Sequence, residues 1–234
     1  MLDFLTKNNV FITYGVEILA AIVGLLCLRK YKNTTVKYFI WFLVYVVFVE
    51  VIGYLLSYFR NSEALLFLKN NGFGKFNWWY TIFWSIGSIM FYVFYYSRIS
   101  KIGMFKLLYD IIGIVFLVSS IAYIGFNFEA FLSTFPFYFQ VAGAFVTVTC
   151  VAIYFIELLL SEKLLKFYKS FNFYLSLTIL VWWIIITPLV FFDEYNTVND
   201  WNYVNLKRQI FLFANIFMYL TFTFNLLWCK PQNV

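Results

Sequence analysis

Residues 36–59, VKYFIWFLVYVVFVEVIGYLLSYF, hold the feature that most limits what this chain can fold into. The run is apolar for long enough to cross a bilayer, which takes about 20 residues at a rise of about 1.5 Å each. It nevertheless carries a carboxylate, Glu50, well inside. A charge in the centre of hydrocarbon costs about 2.5–3.5 kcal/mol on insertion scales. A partner, a bound proton or a wet cavity must offset that cost.

Six further apolar runs of similar length accompany it: Val10–Leu28, Asn77–Tyr96, Phe105–Ile124, Gln140–Leu160, Ser170–Phe192 and Gln209–Trp228. None alternates polar and apolar residues as barrel strands do. The pattern predicts an all-α integral membrane bundle of seven transmembrane helices, formed by residues 1–234 as one polytopic domain. Composition agrees: 64% of residues are hydrophobic and 12% charged, whereas soluble domains have about 45–50% apolar and about 25% charged residues. A core of this size cannot hide the excess, so lipid is the expected solvent. The start of the chain, MLDFLTKNNV, lacks a basic segment and reads as the approach to a first span, not a cleaved signal.

Lysine and arginine set the expected orientation. With the N-terminus outside, the inner segments carry Arg29, Lys30, Lys32, Lys37, Arg98, Lys101, Lys106, Lys163, Lys166, Lys169 and Lys230. The outer segments carry Lys7, Arg60, Lys69, Lys75, Lys207 and Arg208. The positive-inside rule therefore favours N-outside, C-inside in a plasma (inner) membrane. The inner loops are short and basic. The outer loops, Arg60–Phe76, Gly125–Phe139 and Asp193–Arg208, are longer. In the first, Ser62 is placed to cap a short interfacial helix. The second is aromatic and expected in the headgroup layer, and the third is strongly polar. Runs one to three and five to seven share a plan of short basic inner loop and longer outer loop, which suggests a 3+1+3 arrangement.

Several chemistries are excluded by residue type. The chain has no histidine, which removes Ser–His and Cys–His catalysis and histidine metal sites. Retinal chemistry needs a lysine in the last span, and Gln209–Trp228 has none. The three cysteines, Cys27, Cys150 and Cys229, form no disulfide framework. The net charge of +6 comes from residues at span ends, so it signals topology and not nucleic-acid binding. No cofactor and no metal are expected.

Helical spacing gathers the polar residues onto faces. Gln140, Gly143, Thr147, Cys150, Tyr154 and Glu157 form one stripe. Thr81, Ser85, Ser88 and Tyr92 form another, and Glu17 shares a face with Thr13, Ala20, Ala21 and Gly24. With the N-terminus outside, Glu17 lies about 10 Å and Glu50 about 13 Å below the outer edge. Ser85 and Asn215 fall at similar depth. The expected ligand site is an outward-opening acidic pocket of Glu17, Glu50, Ser85 and Asn215, with Thr187 and Trp183. Gln140, Thr147, Tyr154, Glu157 and Asp110 would continue a polar path on the inner side. Pro188 frees a carbonyl in its helix and favours a kink or hinge there. Hydroxyls on such faces also serve as packing contacts, each worth about 0.6 kcal/mol. Three functions fit. A small-solute or ion transporter ranks first, then a sensor or accessory subunit acting through a partner membrane or signalling protein. A lipid-modifying enzyme using paired carboxyls ranks third. The expected partners are the bilayer and a small solute, ion or lipid ligand.

Overall fold

The structure is a computed structural model that describes residues 8–59, 73, 77–134, 136–161, 169–195 and 201–231. Among the described residues every regular element is helical: α1 (Asn9–Tyr31), α2 (Val36–Tyr58), α3 (Asn77–Trp79), a π-helix (Tyr80–Ile86), α4 (Gly87–Ile99), α5 (Gly103–Phe126), α6 (Phe128–Ser133), α7 (Phe137–Leu159), α8 (Phe171–Tyr195) and α9 (Trp201–Trp228). Six of these, α1, α2, α5, α7, α8 and α9, are long and apolar enough to cross a membrane. The run expected to span at 77–96 is helical from 77 to 99, but it is assembled from α3, the π-helix and α4. The interfacial helix expected at Ser62 lies outside the described residues.

Large side chains stand exposed along the spans, among them Leu26, Ile121, Phe145 and Leu227. A water-soluble chain rarely leaves such continuous apolar surface. Helices that are apolar all round are the signature of burial in a core or in lipid.

Two compact units make up the chain. The first comprises residues 1–44 and 151–234. In it α9 packs against both α1 and α8. On α1, Glu17, Ala20, Ala21, Gly24, Cys27 and Tyr31 are buried, spaced at three and four residues. The small residues among them, Ala20, Ala21 and Gly24, let neighbours come close. A Cβ on Gly24 would stand 3.2 Å from Ile40 Cγ2. Phe39 is the hub of an aromatic core, with ring centroids 5.0 Å from Phe222 and 5.5 Å from Phe171. At one end α1 closes over the terminus of α9. Tyr31 Oη shares its one proton between the carbonyls of Cys229 (2.8 Å) and Leu226 (3.1 Å), while Lys30 Nζ donates to those of Leu226 and Leu227. These are the carbonyls a helix end leaves without intrahelical partners, and a cation there also meets the negative end of the macrodipole.

Within the expected polar loop at 193–208, residues 193–195 and 201–208 are helical. α8 runs on to Tyr195 and α9 begins at Trp201. The cause is a set of polar contacts between the two extensions. Lys207 forms an ion pair with Asp193, and Tyr203 Oη donates to Asp193 Oδ1 (2.8 Å), with Leu189 O 3.1 Å away.

The second unit comprises residues 45–150. α4 packs against α5, where a Cβ on Gly113 would lie 2.9 Å from Val93 Cγ1. The expected loop at 125–139 contains α6, tied to α3 by Asn77 Nδ2 donating to Ser133 O at 2.9 Å. The contact between α2 and the π-helix has a repeated construction. Tyr45 Oη donates to Phe83 O at 2.5 Å and lies against Gly87. In return Trp79 Nε1 donates to Val49 O at 3.1 Å, and Tyr80 lies against Gly53. In each helix the accepting carbonyl belongs to the residue four before a glycine. In an α-helix that carbonyl is covered by the side chain above it, and glycine leaves it open to a donor from the side. The π-helix frees one of these acceptors outright, because the Gly87 N–H reaches back five residues to Ile82 O.

Candidate functional site

Each expected pocket residue can be placed within its own unit. In the first unit, Glu17 is 5% exposed, on the small-residue face of α1. α8 and α9 bring three more of the expected residues into one chain of contacts. Trp182 Nε1 donates to Asn215 Oδ1 at 2.9 Å, and the Trp182 and Trp183 rings meet edge to face at 5.0 Å. Thr187 Oγ1 donates to Trp183 O at 2.6 Å, one residue before Pro188. A threonine hydroxyl on the carbonyl four residues back is a common accompaniment of helix bending. Trp182, which sequence reasoning passed over in favour of Trp183, is the side chain that engages Asn215. A buried indole needs an acceptor, and Asn215 supplies it from α9.

In the second unit, Glu50 is half-buried on α2, next to Val49 and three residues before Gly53. It therefore borders both points where α2 meets the α3–π segment. Ser85 and Thr81 are buried in the π-helix, and Thr81 Oγ1 donates to Asn77 O. The extra residue per turn in a π-helix moves the side chains after it off the face that α-helical spacing assigns. The stripe Thr81–Ser85–Ser88–Tyr92 thus spans two helix types, although all four residues are buried.

The stripe on α7 is buried through its centre. Gly143, Thr147, Cys150 and Tyr154 are buried, and Gln140 and Glu157 at its ends are half-exposed. Thr147 is 0% exposed, and among the described residues its Oγ1 has no hydrogen-bond partner. Its neighbour Thr149 satisfies its hydroxyl on Phe145 O at 2.7 Å. An unsatisfied hydroxyl in a buried position costs about 1–3 kcal/mol unless water or a ligand meets it. Tyr109 Oη, on α5, donates to Cys150 O at 3.3 Å. Tyr154 is hydrogen-bonded to Ser170. Asp110, expected with the path on α7, accepts a hydrogen bond from Ser97 at 3.1 Å. It lines a groove between α4 and α5 together with Arg98 and Lys106.

At the end of α9, burial pushes the Cys229 thiol above its ordinary pKa, and Lys30 draws it part of the way back. This fits a thiol held in packing and argues against an activated nucleophile.

Together these features define the class: an all-helical, multi-pass membrane protein with polar groups inside its helices. No protein-family model, curated protein or solved structure matches the chain.

Proposed function

We propose that this protein is a small-solute or ion transporter of the plasma (inner) membrane, with Glu17 and Glu50 as its proton- or cation-responsive groups. The observation that carries the reading is Glu17, a carboxyl 5% exposed within a helix of membrane-spanning length. Ionisable groups in such positions are expensive and typically mark ion or proton pathways. Supporting features lie on other helices. The buried Thr147 hydroxyl suits a water or solute on the α7 stripe. Pro188 in α8 and the π-helix around Ser85 are helix irregularities of the kind found where membrane proteins bind and move. In the proposed scheme Asn215, Thr187 and Trp183 act with Glu17 in the first unit, and Ser85 acts with Glu50 in the second. Gln140, Thr147, Tyr154, Glu157 and Asp110 continue toward the side the basic loops mark as inner.

The test is flux in proteoliposomes under an imposed pH or ion gradient, with protons, Na⁺, K⁺, and panels of neutral amino acids and sugars as probes. Wild type should conduct at least one of them, and Glu17→Gln and Glu50→Gln should each reduce its rate by tenfold or more. If wild-type protein passes none of these species, the transporter reading is wrong. If flux survives both substitutions unchanged, the two carboxyls have no part in it.

A further inference from the structure

The groove between α4 and α5 belongs to neither the proposed pocket nor the path on α7. Its volume is about 680 Å³, inside the range of sites that bury a small-molecule ligand, about 300–1,000 Å³. It has two distinct ends. The mouth, beside the short link from α4 to α5, is polar and carries Ser97, Arg98, Lys106 and Asp110. Below it the walls are Met90, Val93 and Phe94 from α4 and Ile114 and Leu117 from α5. Gly113, between them, adds no side chain to the floor. Seven residues separate Ser97 from Met90 and Asp110 from Leu117, so the apolar part extends about 10 Å along the helices.

Charge at the mouth is two cations against one carboxylate. Asp110 accepts from the Ser97 hydroxyl, and among the described residues neither Arg98 nor Lys106 forms an ion pair with a carboxylate. The Arg98 guanidinium lies 5.2 Å from the centroid of the Phe94 ring. That contact holds it over the boundary between the charged mouth and the apolar trough. Lys101, in the link itself, adds positive charge beside the mouth. Phe94 and Ile114 are exposed, so the trough is open along its length.

We propose that this groove binds an anionic phospholipid of the surrounding bilayer. Arg98 and Lys106 hold the headgroup phosphate, and one acyl chain lies along Met90, Phe94, Ile114 and Leu117. The guanidinium fork matches phosphate oxygens, and the lysine adds a point charge. Basic pockets between spans at the positive side of a membrane suit such headgroups. A free phosphate would use only the mouth and leave the trough empty. A zwitterionic lipid would fill the trough but bring a cation to a site that already has two. The site rests on the membrane reading alone and stands whether or not the chain is a transporter.

The test is thermal unfolding of the purified full chain in detergent, titrated with dioleoylphosphatidylglycerol, dioleoylphosphatidylcholine or inorganic phosphate. The expected result is a saturable rise in Tm with the anionic lipid, and little change with the other two. Arg98→Gln/Lys106→Gln should raise the half-saturating lipid concentration at least tenfold. Ile114→Trp, which fills the trough and keeps both cations, should do the same. Equal stabilisation by phosphatidylcholine, or by phosphate alone, overturns the proposal, as does an unchanged titration in both variants. Native mass spectrometry of wild-type protein released from micelles of both lipids tests the site without any substitution. Selective retention of phosphatidylglycerol supports it, and unselective or absent retention overturns it.

Discussion

The contact between α2 and the π-helix predicts a mutation whose sign depends on a second residue. A Cβ placed on Gly87 would stand 2.6 Å from Tyr45 Oη, while its next neighbours, Tyr45 Cζ and Ile82 O, lie at 3.5 and 3.6 Å. Only the hydroxyl is in the way, and it is the group that donates to Phe83 O at 2.5 Å. Gly87→Ala therefore drives the hydroxyl off its acceptor. The lost interhelical bond costs about 0.6–1.5 kcal/mol, and the overpacking adds about 1–3 kcal/mol. Alanine's helix preference over glycine returns about 0.8–1 kcal/mol. The net expectation is destabilisation by roughly 1–3 kcal/mol. Tyr45→Phe removes the hydroxyl and by itself costs only the bond, about 0.6–1.5 kcal/mol. With phenylalanine at 45, the alanine at 87 meets ordinary contacts, and its helix preference should stabilise by up to about 1 kcal/mol. The helix preference cancels in the double-mutant cycle, so its coupling energy is the lost bond plus the overpacking, about 1.6–4.5 kcal/mol, well above the ~0.3–0.5 kcal/mol expected of independent sites. Reversible unfolding in mixed detergent micelles, followed by circular dichroism, measures all four corners. If Gly87→Ala destabilises equally with tyrosine or phenylalanine at 45, the reasoning from this contact is wrong.

Three other expectations are simpler. Lys30→Met should weaken the closure over α9 by about 0.3–1 kcal/mol and speed amide exchange at Leu226–Cys229, with the rest of α9 unaffected. The same substitution removes the cation that lowers the Cys229 thiol, whose pKa burial raises. Maleimide labelling of Cys229 should be slower than that of a free thiol at pH 7–8, slower still in Lys30→Met, and should recover in both as pH rises. Asn215→Leu strips the Trp182 indole of its acceptor and should cost about 1–2 kcal/mol, with a shift in tryptophan emission. An unshifted spectrum would mean the indole finds another partner.

The six apolar helices were legible because length and hydrophobicity alone specify a span, and no side-chain detail enters. Span ends were less so. α9 begins eight residues before the expected Gln209, because Asp193, Tyr203 and Lys207 stabilise helix in a stretch whose polarity reads as loop. The π-helix left no periodic trace. The donor that meets its freed Phe83 carbonyl, Tyr45, lies on a helix some forty residues earlier, and hydropathy carries no information about that donor. A signal does exist in the paired spacing Tyr45–Val49–Gly53 and Trp79–Phe83–Gly87. In each triplet an aromatic donor, a carbonyl and a glycine follow one another at four-residue steps. Helical spacing names the residues of a polar face but carries no information about which side chains meet them. The contacts of Trp182 with Asn215 and of Asp110 with Ser97 join different helices, so no single-helix spacing reveals them.

The closure of Lys30 and Tyr31 over α9 has a consequence for the order of assembly. Its hydrogen bonds join residues 195–198 positions apart in sequence. Residues 45–150, by contrast, are contiguous and complete before α8 and α9 have been made. The first unit must therefore wait, with the acidic face of α1 and the aromatic ring of Phe39 lacking the helix that covers them, until α9 emerges. Translation pauses or truncations after residue 150 should thus leave one finished unit and one open one. Quality-control proteases of the membrane would be expected to recognise α1 first.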